Sequence, residues 1–153
     1  MNLSAFQQLL LQAVGTFGGT LGYAILLNAP MRTVLPASLT GLLGYVVYEA
    51  MINLFAQGVI FSYFLSTVIV AVICEVAARM MRMPSTIFLL TALVPLVPGY
   101  TFYCAMLAIV EHNGAAFAAY SLEAVQIVAV IAVGAAVTST LFRVFTMRAA
   151  RRQ

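Results

Sequence analysis

Between residues 9 and 145 the sequence falls into five apolar runs, 9–27, 36–56, 59–77, 87–110 and 124–145, each with at most one charged side chain. A helix needs about 20 mostly apolar residues to cross roughly 30 Å of hydrocarbon, so each run is long enough to span a bilayer. Charged residues make up 7% of the chain and hydrophobic residues 64%. Soluble domains carry roughly 25% charged residues, so this chain has too few to cover a surface that faces water. In lipid the backbone must satisfy its own polar groups, and runs of this length do so as helices. The expected fold is therefore all-α and integral to the membrane, a five-span helix bundle with residues 1–153 as one domain. The same composition excludes disorder, a coiled coil and a secreted disulfide scaffold.

Turn chemistry separates the runs. Asn28-Ala29-Pro30 ends the first, Gln57-Gly58 turns between the second and third, Met83-Pro84-Ser85 precedes the fourth, and His112-Asn113-Gly114 ends it. The basic residues test the span count. With five spans Arg32, Arg79, Arg82, Arg143, Arg148, Arg151 and Arg152, which are all the Arg in a chain without Lys, fall on one side. Glu111 and Glu123 fall on the other. Merging any two spans would scatter the Arg. By the positive-inside rule the Arg side is cytoplasmic, which puts the N-terminus outside and the C-terminus in the cytoplasm. The first 28 residues lack both a basic leader and a small-residue cleavage site, so the N-terminal segment is expected to be retained. The net charge of +3 is explained by orientation. No basic stripe interleaved with aromatics points to nucleic acid.

The fourth run carries the strongest chemical signal, Leu93-Val94-Pro95-Leu96-Val97-Pro98-Gly99-Tyr100. Two prolines and a glycine at the centre of a span free several backbone groups, and such a break survives only beside protein or a wet cavity. Counted from Ile87, Pro95 lies about 12 Å and Gly99 about 18 Å along the helix, near the bilayer midplane. A second half-helix starting near Gly99 would aim its amides and positive dipole end at an anion. Broken helices of this kind hold carboxylates in transporters. Pro95, Pro98, Gly99, Tyr100, Thr101 and Tyr103 are thus the candidate substrate-binding residues. A proline kink that only shapes packing is the competing account, and the Tyr100, Thr101 and Tyr103 hydroxyls would then bond freed carbonyls.

Glu49 stands in the second run, about 20 Å from its cytoplasmic end. An ionisable group there is costly and usually faces the bundle interior or water. Glu49 is the candidate proton-coupling residue, with Asn53 one turn later on the same face. The alternative is a carboxylate that reaches water at the rim. Glu75 precedes Arg79 by four residues, the favourable order for a structural ion pair. Gln126 reads as a helix-to-helix hydrogen-bonding residue and His112 as a solvated loop residue.

Gly15, Gly18, Gly19 and Gly22 form two overlapping G-x-x-x-G pairs in the first run. Such a face lets another helix approach closely, either within the chain or from a partner. Gly41, Gly44 and Gly134 offer further small faces. Cys74 and Cys104 lie at different depths, more than about 10 Å apart by helical rise, too far for a disulfide; both are expected to be apolar fillers. No metal-ligand cluster, cofactor motif or enzyme signature is present, and no room remains for a nucleotide domain. The chain is not expected to be an enzyme.

Pro84-x-x-Ile87-Phe88, Val94-Pro95-x-x-Pro98-Gly99 and Tyr103-x-Ala105-Met106, with Asn28-Ala29-Pro30-x-Arg32 after the first run, resemble the threonine/serine exporter family. More closely, the chain looks like the small membrane-only subunit of its split, two-component form, the type associated with succinate export. The resemblance covers nearly the whole chain. It implies a secondary transporter in a bacterial inner membrane that exports small carboxylate metabolites, threonine/serine or a dicarboxylate such as succinate. It also implies a larger membrane subunit as partner, supplying the other half of a roughly ten-span unit. A homo-oligomer, and a non-transporting assembly subunit, are the alternatives.

Overall fold

The computed structural model describes residues 5–53 and 58–150. Every regular element among them is helical: α1 (Ala5–Leu26), α2 (Met31–Asn53), α3 (Val59–Met81), α4 (Ser85–Ala92), a 3-10 turn (Val94–Leu96), α5 (Gly99–Val110) and α6 (Gly114–Ala150). Gln57, Arg151 and Arg152 lie outside the described residues, as do the end of the second expected span and the side chain of Arg148.

Three helices, α2, α3 and α6, are long and apolar enough to cross a membrane. The α4–α5 pair makes a fourth crossing if it is taken as one span bent by 54°. The apolar part of α1, Leu10–Leu26, is shorter. By length and composition the structure thus supports three to four spans.

Several boundaries differ from those expected. α2 begins at Met31 and runs through Pro36, although proline commonly opens a helix. Here Pro30 does so, and the amide and hydroxyl of Thr33 both bond its carbonyl, at 2.7 and 2.8 Å. α3 runs one turn past residue 77 to Met81. Residues 114–123 were expected to be an outer connection, yet they form the first turns of α6. Their alanine-rich sequence has high helix propensity, and the Asn113 side chain caps the Ala116 amide at 3.1 Å.

The three described turns that follow α1, α3 and α5 share one device. Asn28, Arg82 and His112 have φ of 52°, 54° and 55°. In each turn the next amide reaches back five residues: Ala29 to Ala24, Met83 to Ala78, and Asn113 to Ala108. The left-handed residue itself bonds three residues back. These are Schellman caps, which satisfy the last carbonyls of a helix and reverse the chain. Two of them are followed by the prolines (Pro30 and Pro84) that block helix continuation.

α1 packs on α2, α2 on α3 and α4, and α6 closes against α3 and α5. The core gathers Ala37, Val70, Cys74, Ala78, Phe88, Ala92 and Leu96 from α2, α3, α4 and the 3-10 turn. Its small side chains allow close helix approach, which is how apolar helices associate when lipid is the solvent. Gly44 is the tightest point, where an added Cβ would lie 2.5 Å from Val70 Cγ2. Ser66 Oγ crosses from α3 to the Gly44 carbonyl, 2.5 Å away. Gly41 abuts Thr20 of α1, and Gly134 abuts Thr67 of α3. Most other hydroxyls return to a carbonyl of their own helix, as Ser38 does to Val34 and Thr91 to Ile87. Large apolar side chains such as Leu11, Val14, Met80 and Val110 cover the outside.

Gly15, Gly18, Gly19 and Gly22 do not make the intrachain packing face. All four are exposed, and a Cβ added to any of them would meet nothing within 4 Å. α1 instead turns Thr20 and Ala24, one turn apart, into the protein.

Candidate functional site

The break expected in the fourth span is present and well defined. α4 ends at Ala92 because Pro95 and Pro98 cannot donate to a helical ladder. Between them the 3-10 turn is held by the Leu96 amide on the Leu93 carbonyl at 2.9 Å. Val97 is extended, and Pro98, at φ −75° and ψ 61°, centres an inverse γ-turn closed by the Gly99 amide on the Val97 carbonyl at 2.7 Å. α5 then starts, with the Phe102 amide on the Pro98 carbonyl. The Tyr100 and Thr101 amides follow Gly99 in the first turn, where a helix leaves donors without an internal acceptor. A Cβ at Gly99 would meet nothing within 4 Å, so the residue leaves open space at this helix start.

That space belongs to a cavity of about 350 Å³. The break supplies one wall through Pro95, Leu96, Val97, Pro98, Gly99, Tyr100 and Thr101. α2 adds Tyr45 and Tyr48, α3 adds Val59 and Tyr63, and α6 adds Glu123 and Ile127. Tyr48 and Tyr63 pack ring to ring, 4.4 Å between centroids and tilted by 39°. Small-molecule sites commonly have volumes of roughly 300–1,000 Å³ and are mainly apolar with a few placed polar groups. The available polar groups here are tyrosine and threonine hydroxyls, the first amides of α5 and one carboxylate. A second cavity of about 290 Å³ meets the break from α1, lined by Gly15, Thr16, Gly19, Thr20, Val94 and Pro95.

Of the expected substrate residues, Pro95, Pro98, Gly99, Tyr100 and Thr101 line the 350 Å³ cavity, whereas Tyr103 is exposed and does not. Tyr103 lies only about 60° around the helix from Tyr100 but about 4.5 Å further along it, away from the break. Glu49 is half-buried on α2 and accepts a 2.8 Å hydrogen bond from Asn53, the companion expected for it. Neither is among the cavity-lining residues, although Tyr45 and Tyr48 of the same helix are. Tyr45 donates to Gln12 of α1 at 2.8 Å and so ties α1 to α2 beside the cavity.

Tyr63 and Glu123 were not foreseen as lining residues. Their signal was weak because Glu123 falls in a segment expected to be a connection, and one tyrosine in an apolar span reads as packing. Gln126 is exposed and makes no side-chain hydrogen bond among the described residues. Cys74 is buried, Cys104 half-buried, and both thiols are free. Among the described residues no group of three His, Cys, Asp or Glu could hold a metal.

The architecture defines a class: an all-helical bundle of membrane-spanning length, its polar cavity built on a helix broken by two prolines and a glycine. No solved structure matches the fold. Residues 12–141 match the threonine/serine exporter family, ThrE, and over that length the chain belongs to it. It is a membrane protein of exporter type, and the family is one of transporters, not enzymes.

Proposed function

We propose that the chain is the small membrane subunit of a secondary exporter for small carboxylate metabolites, threonine and serine first and a dicarboxylate such as succinate second. The observation that carries the reading is the cavity at the helix break. Tyr100 and Thr101, whose amides fall in the first turn of α5, are among its lining residues, and free helix N-termini favour anionic groups. The Tyr45, Tyr48, Tyr63 and Thr101 hydroxyls offer partners for a polar substrate. Glu49 with Asn53 is the proton-coupling candidate. In this reading the chain crosses a bacterial inner membrane five times, α1 and the bent α4–α5 pair each counting as a span. Its N-terminus faces out and its Arg-bearing end faces the cytoplasm.

A partner is part of the proposal. The glycine face of α1 is bare in the single chain, and a helix of a larger subunit could approach it closely. This same face favours a second reading, an assembly subunit that transports nothing itself.

Efflux of preloaded labelled threonine, serine and succinate tests both, in cells lacking their own exporters. The chain is expressed alone and with any larger subunit encoded beside it. The expected result is efflux only with both, lost in Gly99→Leu while the complex still assembles. A Cβ at Gly99 would meet nothing within 4 Å. If Gly99→Leu lowers complex yield but leaves export per complex intact, the assembly reading replaces the exporter reading. For sidedness, a cysteine added after Gln153 should resist an impermeant thiol reagent in intact cells, and labelling there would reverse the topology.

A further inference from the structure

The Arg-bearing end of the bundle contains a larger cavity than the break, about 490 Å³, lined by Glu75, Arg79, Ser85, Thr86, Ser139 and Arg143 together with Leu89. We propose that this cavity is a second substrate site, holding a small solute with one carboxylate and one ammonium group at the opposite end of the path from the break. The ligand class rests on the reading of the chain as an exporter of small carboxylates; the site itself rests on the geometry below.

The two cavities are stacked along the same helices. α3 contributes Tyr63 to one and Glu75 to the other, about 18 Å apart by helical rise. α6 contributes Glu123 to one and Ser139 to the other, about 24 Å apart. Between them α3 carries Thr67, Val70 and Cys74, all fully buried. Packed side chains separate the two cavities there.

Charge in the larger cavity is unevenly matched. Arg79 is committed: its guanidinium donates to the Phe142 carbonyl at 3.2 Å and lies 4.8 Å over the Phe142 ring. Its contact with Glu75 is 3.7 Å, longer than the roughly 2.7–2.9 Å of a charge-assisted hydrogen bond. Glu75 is only 9% exposed, and this is its one ion pair among the described residues. Arg143 is exposed and has no ion-pair partner among the described residues. Two guanidinium groups and one carboxylate leave a single net positive charge. A carboxylate gives the Arg143 guanidinium a partner, and an ammonium group on the same molecule can supply the close partner that Glu75 lacks; being a zwitterion, it pairs both groups without changing the net charge. The Ser85, Thr86 and Ser139 hydroxyls are placed for a further polar group. A dicarboxylate would bring a second negative charge towards Glu75, so it fits less well.

An anionic lipid headgroup shares the carboxylate's affinity for Arg143, so the test separates the two. Binding of labelled threonine to the full chain is measured in nanodiscs of phosphatidylcholine alone and with added phosphatidylglycerol. Arg143→Gln removes an exposed charge without opening a void. It should weaken threonine binding at this site at least tenfold, the loss of one charge-assisted pair, with Arg143→Lys intermediate. Gly99→Leu should leave this component of binding within twofold. Threonine binding that Arg143→Gln leaves intact and Gly99→Leu abolishes overturns the second site while keeping the break as the substrate site. Loss in Arg143→Gln of a binding component that Gly99→Leu leaves intact supports the second site. Retention of phosphatidylglycerol by Arg143, with no threonine binding in phosphatidylcholine, overturns the proposal in favour of a lipid site.

Discussion

Gly44 offers the sharpest test of how this bundle is packed. An alanine there would put its Cβ 2.5 Å from Val70 Cγ2 and 3.3 Å from Leu96 Cδ1. Both neighbours are essentially fully buried, and a β-branched side chain in a helix has one strongly preferred rotamer, so Val70 cannot simply swing away. Overpacking of this kind costs about 1–3 kcal/mol. Helix propensity offsets about 1 kcal/mol of it, because alanine outranks glycine. The net effect of Gly44→Ala is thus a loss of about 0–2 kcal/mol, too broad to decide anything alone. A double-mutant cycle with Val70→Ala removes the propensity contribution, since it is common to both arms. The smaller residue at 70 makes room for the new methyl, and the expected coupling is about 1–3 kcal/mol, the overpacking itself. Gly19→Ala is the control. Nothing lies within 4 Å of its Cβ, so the isolated chain should gain up to about 1 kcal/mol from propensity. Reversible unfolding in mixed micelles, by titration with a denaturing detergent, measures all four variants. A coupling below about 0.3 kcal/mol, the usual error of additivity, together with a destabilising Gly19→Ala, would refute this packing. It would mean that α1 uses its glycine face within the chain.

Three further outcomes are expected. Thr67 Oγ1 is the one buried side-chain polar atom without a partner among the described residues, so Thr67→Val should be neutral or stabilise by about 1 kcal/mol; a loss above 1 kcal/mol in the same unfolding assay would show that the hydroxyl is satisfied. His112 holds φ at 55°, a conformation that costs a non-glycine residue about 1 kcal/mol; His112→Gly should recover part of it, and a clear drop in stability would count against the cap. Glu49→Gln keeps the shape and the bond to Asn53 but removes the titratable proton; export should lose its pH dependence, and an unchanged pH profile in reconstituted vesicles would end the proton-coupling role.

What was legible in the sequence follows from short-range rules. Apolar runs near bilayer thickness dictated helices, because the backbone has no other way to satisfy itself in lipid. Proline and glycine marked the break at Pro95–Gly99, since a missing donor acts wherever the chain goes. The ion pair of Glu75 with Arg79 and the bond of Asn53 to Glu49 are four residues apart on one helix, so helical spacing alone brings them together.

Which face of each helix turns inward was a tertiary decision. The G-x-x-x-G pattern marked α1 as a packing helix, yet Thr20 and Ala24 are buried and the glycines are bare. The closest intrachain contact fell instead to Gly44, which belongs to no such pair. Apolar periodicity cannot distinguish these faces, because lipid and protein interior are about equally apolar and burial carries no hydrophobic signature. For the same reason the two cavities could not be read from spacing. Tyr48, Tyr63 and Glu123 meet at one end, and Glu75, Ser85 and Arg143 at the other. They meet only because α3 and α6 run side by side while α4 and α5 part at a 54° bend. Local chemistry along the chain sets the helices and the place where one of them breaks; which side chains share a cavity follows from how those helices pack, because that depends on contacts between residues far apart in the chain.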